Sequence, residues 1–330
     1  MKRIELMHDW LGQQFPEGGW AVEPASADAS FRRYFRVVAD DGTHIVMDAP
    51  PEHEDCRPFI RVAGLFEAAG AHVPKILAQD LQQGFLLLSD LGHTTYLQVL
   101  DEDNADALYR DAIDALIKIQ LASRPDTLPP YDEALLQREM NLLPEWYVDK
   151  HMQAALSDSQ REVLQRTFAL ITLNNLSQPS VFVHRDYHSR NLMTSSPNPG
   201  VLDFQDAVYG PITYDLASLL KDAYITWDEE RVLDWCIRYW ERARKAGLPV
   251  NADFYEFYRD FEWMGVQRHI KVLGIFARLY HRDGKEGYLK DMPLVMTYLR
   301  KACERYIALT PLLRLLDELE NRRAATGYSF

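Results

Sequence analysis

The chain has 330 residues, 47% of them hydrophobic and 26% charged, which is material for one large or two modest folded domains. Its formal net charge of −13, with basic residues scattered rather than clustered, excludes a general nucleic-acid surface but leaves room for an anionic ligand in a local pocket. The three cysteines, Cys56, Cys236 and Cys303, are widely spaced with no CxxC pair, which argues against a disulfide framework or a zinc site and for a reducing, cytoplasmic setting.

The N-terminal stretch MKRIELMHDWL is interrupted by Glu5, His8 and Asp9, so it lacks the apolar core of a secretion signal. Ile4, Met7, Trp10 and Leu11 fall at helical spacing and predict a short amphipathic helix over 2–14. FRRYFRVV (31–38) and HIVMDA (44–49) are strand-like and flank the turn ADDGT (39–43), a hairpin signal. Pro58 suits the first turn of a helix that runs to about Ala69 and stops at Gly70. Two further strands are expected around 75–79 and 85–89. After DLG (90–92) the pattern becomes helical, with helices expected over 104–122, 132–155, 158–175, 228–246, 252–282 and 287–320. No run of about 18 apolar residues exists, so no membrane span is expected. The reading is an α+β chain with a small strand-rich lobe over 1–92 and a larger helical lobe over 93–330.

Between the helices lies VFVHRDYHSRNLMTSSPNPGVLDF (181–204), in which LM and VLDF read as two short β segments around the turn-forming SSPNPG. It holds His184 and Asp186, an asparagine (Asn191) five residues after that aspartate, and Asp203 on the second segment. Phosphoryl transfer needs a carboxylate to orient the attacking hydroxyl and accept its proton, together with oxygen ligands for Mg²⁺ on the phosphates of ATP. Asp186 suits the first task, and Asn191 with Asp203 the second. HRDG recurs at 281–284, but Tyr288 stands five residues after Asp283 and no strand aspartate follows, so that copy reads as a polar turn between helices.

The stretch 181–218, ending in YDLAS, resembles the signature of aminoglycoside phosphotransferases and choline-kinase-type small-molecule kinases. That resemblance implies a protein-kinase-like bilobal fold using ATP and Mg²⁺, with Asp186 as base, Asn191 and Asp203 as metal ligands, and His184 and Asp215 supporting the catalytic loop. FLLLSDLG (85–92) resembles the hinge of that fold, where backbone groups of Leu88, Ser89 and Asp90 would meet adenine. Only ten residues separate Phe204 from the next signature residue, Asp215, too few for the activation loop of a protein kinase. The usual lysine of the third strand is absent, since Met47 and Asp48 occupy its place. The loop SADASFRR (26–33) lacks glycine, which leaves Ser30 with Arg32 or Arg33 to meet the phosphates.

On 260–284, Met264, Gln267, Lys271, Gly274 and Arg278 follow one another at spacings of three or four and share a helix face, with Trp263 and Arg268 beside it. Such a basic face suits a neutral or acidic sugar better than a polycation, and Glu139 of QREMNLLPEWYVD (137–149) is a further candidate for the pocket wall. DAPPEHEDCRPFIRVAGLFEAAGAHVPKI (48–76) and EWMGVQRHIKVLGIFARL (262–279) resemble the branch of the family that phosphorylates N-acetylmuramate and N-acetylglucosamine at the anomeric hydroxyl during bacterial cell-wall recycling. The expected partner is therefore a small amino-sugar, with no nucleic acid, membrane or obligate protein partner. Other acceptors, such as an aminoglycoside, homoserine or an amino-alcohol, or a nucleotide-binding pseudokinase, are the alternatives.

Overall fold

The computed structural model describes residues 3–27 and 31–320. The chain opens with α1 (Arg3–Gln14), β1 (Ala21–Ala27), β2 (Arg33–Ala39), β3 (Gly42–Asp48), α2 (Cys56–Ala68), β4 (Ile76–Asp80), β5 (Phe85–Ser89), α3 (Tyr96–Val99) and α4 (Ala105–Leu121). Next come α5 (Glu133–Met140), a π-helical segment (Leu143–His151), α6 (Asp158–Leu176), β6 (Ser180–Val183), β7 (Leu192–Met193), β8 (Gly200–Val201) and β9 (Val208–Pro211). Helices α7 (Tyr214–Leu220), α8 (Glu229–Ala246), α9 (Phe254–Asp283), α10 (Met292–Arg305) and α11 (Thr310–Leu319) complete it.

Two compact units emerge: Met1–Ala122 with Arg190–Ala207, and Ser123–Ser189 with Val208–Phe330. The boundary expected at residue 92 falls inside the first unit, which also recovers the β7–β8 hairpin from the middle of the chain. Main-chain bonds tie that hairpin in: Thr194 N–H donates to Thr94 C=O at 2.9 Å and Val201 N–H to His72 C=O at 2.7 Å.

The first unit is built on an antiparallel sheet of order β1-β2-β3-β5-β4. Met7, Trp10 and Leu11 of α1 pack on Val37, Val46, Phe85 and Leu87, so the helical stripe near the start of the sequence covers one sheet face. Strand β1 is not expected from the sequence, because Pro24 lowers strand propensity. As an edge strand it tolerates a residue with no N–H, and its pairing shifts between Pro24 and Ser26.

In the second unit the helices expected over 132–155 and 287–320 are each interrupted. Pro144, Pro293 and Pro311 all stand at the start of a new helical segment, where a missing N–H costs nothing. Helix α9 is the axis of this unit, and every residue from Phe261 to Gly274 is buried, including Glu262, Gln267, Arg268, His269 and Lys271. A helix enclosed all round must pair its polar groups internally. Gly274 permits the closest approach, since a Cβ there would lie 2.4 Å from the Leu142 carbonyl carbon. HRDG (281–284) is the end of α9 rather than a separate turn, with Gly284 closing the helix at φ 67°.

Candidate active site

Strands β6 and β9 pair antiparallel from Ser180–Pro211 to Val183–Val208 and deliver the chain into HRDYHS (184–189). Two carboxylates fasten this segment. Asp215, buried in the first turn of α7, accepts the backbone N–H of His184 at 2.6 Å and of Arg185 at 3.0 Å. Asp222 accepts the backbone N–H and hydroxyl of Ser189 at 2.9 and 2.5 Å, and the N–H of Tyr224 at 3.0 Å. Arg185 stands at φ 79°, a left-handed conformation that persists where the surroundings over-determine it, as the double grip of Asp215 does here. Asp186 N–H donates to His184 Nδ1 at 3.2 Å, a further tie within the turn.

Asp186 is thus presented from a fixed turn. Burial works to raise its pKa, but Lys271, Arg185 and Arg268 outweigh it and hold the carboxyl below the usual range, so it is ionised. Burial pulls His188 down to about 4, leaving it neutral, with its ring edge-on to Tyr224 at 5.4 Å.

Glu139 is the hub of the neighbouring charges. It is 5% exposed and accepts from Arg185, from the Tyr131 hydroxyl and from Gln267 Nε2 at 3.0 Å, while Lys271 Nζ lies 3.3 Å away. Lys271 also donates to the Tyr214 hydroxyl at 2.9 Å. Burial opposes the Glu139 charge, and Lys271 and Arg185 restore it, leaving the pKa lowered. One carboxylate therefore ties α5 and α9 to the turn that carries Asp186. Removing it strands the buried Lys271 and leaves the half-buried Arg185 without its carboxylate, so Glu139→Ala is expected to cost about 3–5 kcal/mol in a urea unfolding experiment. A cost under about 1 kcal/mol, the range of an exposed pair, would contradict this account of the hub.

The candidates for metal and nucleotide lie in the first unit. Asn191 precedes β7 and Asp203 follows β8, and Leu202 N–H donates to Asn191 C=O at 2.9 Å. The short strand pair ends at Val201 rather than continuing through VLDF, because Asp203 adopts φ 62°. Its carboxylate accepts from Asn191 Nδ2 at 3.3 Å and Gln205 Nε2 at 2.8 Å, and Arg32 Nη2 lies 4.0 Å from it. Phe204 anchors the next position against Phe59 of α2, with ring centroids 4.8 Å apart. Among the described residues no group of three or more His, Cys, Asp or Glu is placed to hold a metal. One carboxylate with one amide oxygen is instead the sparse, hard-oxygen donor set that Mg²⁺ uses when phosphate and water supply the rest.

Arg33 goes elsewhere: its guanidinium pairs with the buried Asp48, which also takes Arg3 of α1. At the hinge, Asp90 accepts from Arg36 Nε at 2.6 Å and from Gly92 N–H at 2.9 Å, while the Ser89 hydroxyl accepts from Lys75 N–H at 2.8 Å. Leu88 is buried in the sheet. The side chains of Ser89 and Asp90 are thus engaged by neighbours within the first unit. Ser30 lies outside the described residues.

The face expected along 263–278 divides among different surroundings. Gln267 and Lys271 join Glu139, whereas Trp263 packs edge-on against Tyr306 at 5.9 Å and Arg278 feels Arg282 and Asp283. At about 1.5 Å per residue the stripe from 263 to 278 is roughly 22 Å long, more than one sugar spans. Arg268 is 2% exposed, bears on Asp186, and its buried Nη1 has no hydrogen-bond partner among the described residues. Asp222, Gln205 and the pairing of Arg185 with Glu139 went unread in the sequence, since each depends on contacts between distant or irregular segments.

The region 21–248 matches the phosphotransferase enzyme family, to which this chain belongs. An N-acetylmuramate/N-acetylglucosamine kinase of Pseudomonas aeruginosa is 51% identical over 327 residues, covering 96% of this chain and 97% of the relative. A protein of the same name from Pseudomonas putida is 49% identical over 328 residues, with 96% and 97% covered. Choline kinase LicA from Streptococcus pneumoniae superposes with a TM-score of 0.64 at 11% identity, covering 89% of this chain and 99% of that one, a likeness of fold. No described helix is long and apolar enough to cross a membrane.

Proposed function

We propose that this chain is an ATP- and Mg²⁺-dependent kinase that phosphorylates N-acetylmuramate and N-acetylglucosamine at the anomeric hydroxyl, in the cytoplasm, on sugars recovered from peptidoglycan. The observation that carries the chemistry is the ionised Asp186 on a turn fixed by Asp215 and Asp222. The choice of acceptor rests on the names of relatives that match this chain nearly end to end.

In this reading the sugar hydroxyl donates a hydrogen bond to Asp186. Its oxygen attacks the γ-phosphorus of ATP, the bond from that phosphorus to the β-phosphate oxygen breaks, and the proton passes to Asp186. A carboxylate held below its usual pKa is a weak base, so its work is to orient the hydroxyl and take the proton late, as suits a loose transition state. Asn191 and Asp203 would hold Mg²⁺, which when bound supplies positive charge to the phosphates. N-acetylmuramate carries a lactyl carboxylate, and α9 offers Arg268, Lys271 and Arg278 to meet it; Lys271 is occupied by Glu139 and Tyr214, and Arg278 sits near the end of α9. Arg268 is the one we retain.

The test is ADP release with N-acetylmuramate, N-acetylglucosamine, an aminoglycoside, homoserine and choline. Turnover confined to the amino-sugars is expected. Turnover on another acceptor would redirect the assignment, and ATP binding without any product would favour the pseudokinase that the buried Met47 suggests.

A pH dependence follows from Asp215. Burial pushes its pKa up to about 6, against His184 and the two N–H bonds, which favour the carboxylate. The folded group holds its proton more tightly than the unfolded one, so its contribution to stability is full below the ordinary value of 3.8 and fades as pH rises through about 6. Activity runs the opposite way, because the two-oxygen grip on the turn needs the carboxylate. We expect kcat to fall as pH drops below about 6, with no fall in thermal midpoint over the same window. A rate profile flat from about pH 7 to 5 would remove Asp215 from control of the turn.

A further inference from the structure

Resting on the kinase reading, we infer that Arg32 supplies the phosphate-binding cation that the third strand of this chain lacks. The polyphosphate of ATP carries several negative charges, and one divalent ion offsets only part of them. The position where a strand lysine would stand is Met47, fully buried and paired in the sheet with Tyr34 and Leu86. No cation reaches the phosphates from there.

Arg33 and Arg36 are each paired with a carboxylate other than Asp203. Arg33 shares the buried Asp48 with Arg3, an arrangement fixed by register, since Arg33 and Asp48 are direct cross-strand partners. Arg36 is bound to Asp90 and to the Gly92 carbonyl at 2.9 Å. Arg32 sits one position before β2, so its side chain departs from the direction that Arg33 takes. Its side chain is 11% exposed, and its guanidinium lies 4.0 Å from the candidate metal ligand Asp203. A forked guanidinium beside that carboxylate is matched to phosphate oxygens and needs no rearrangement of the sheet. Arg33 and Asp48 then brace α1 against the sheet, and Arg32 acts on the nucleotide.

Binding separates these roles without relying on turnover. Titration calorimetry of the full chain with ATP and AMP would compare the wild type with Arg32→Ala, Arg32→Lys and Arg33→Ala, each checked for folding by its thermal midpoint. Arg32→Ala is expected to weaken ATP by at least about tenfold, the scale of one lost charge-assisted hydrogen bond, and to leave AMP within about twofold. Arg32→Lys should fall between it and the wild type. Arg33→Ala should lower the thermal midpoint and keep ATP affinity. Unchanged ATP affinity in Arg32→Ala, or an equal loss for ATP and AMP, would overturn the assignment while the kinase reading stands. Failure of the wild type to bind ATP would sink that reading and this inference with it.

Discussion

Asp186→Ala is expected to lower kcat by at least about a hundredfold, the usual scale for losing a general base, while ATP affinity changes little. The second unit invests much of its polar interior in this one side chain. Asp215 grips the turn at His184 and Arg185, Asp222 grips it at Ser189, and Glu139 pairs with the Arg185 guanidinium. All of that fixes where one carboxylate points. Asp186→Asn is the sharper variant, since it keeps the size and hydrogen-bonding reach and removes only the ability to take a proton. Turnover close to wild type in either protein would mean that this turn serves the fold alone.

Asp203→Asn is expected to abolish Mg²⁺-dependent turnover and to flatten the dependence of ATP affinity on Mg²⁺ concentration. Asparagine is the informative choice because Asp203 sits at φ 62°, a conformation that asparagine tolerates and most residues with a Cβ do not. The backbone and the contact of Phe204 with Phe59 should survive. Loss of activity then reports the missing charge rather than a misshapen hairpin. Full activity, with ATP binding still tightened by Mg²⁺, would refute the metal assignment.

The roles proposed for Asp186, Asn191 and Asp203 come from a local signal, since the three lie within 18 residues of each other and their spacing is what suggests the chemistry. The amphipathic α1 and the β2–β3 hairpin were legible for the same reason: their periodicity is local. What escaped the sequence depends on tertiary partners. The basic stripe of α9 was legible as a periodic face, but that Gln267 and Lys271 both meet Glu139, more than 120 positions earlier, was not. The choice between Arg32 and Arg33 turned on strand register, which sets Arg33 opposite Asp48. The membership of the β7–β8 hairpin in the first unit turned on bonds to His72 and Thr94, a hundred residues earlier. Strand β1 was hidden by Pro24, which an edge strand accommodates and a propensity scale penalises.

The most direct measurement is mass spectrometry of N-acetylmuramate and N-acetylglucosamine after incubation with the chain, ATP and Mg²⁺, with a reducing-end assay on the same samples. The account predicts the gain of one phosphate together with loss of the reducing end, because the anomeric oxygen is the attacking atom. A phosphate gained with the reducing end intact would place the chemistry on another hydroxyl. No mass gain on either sugar would contradict the account at its centre.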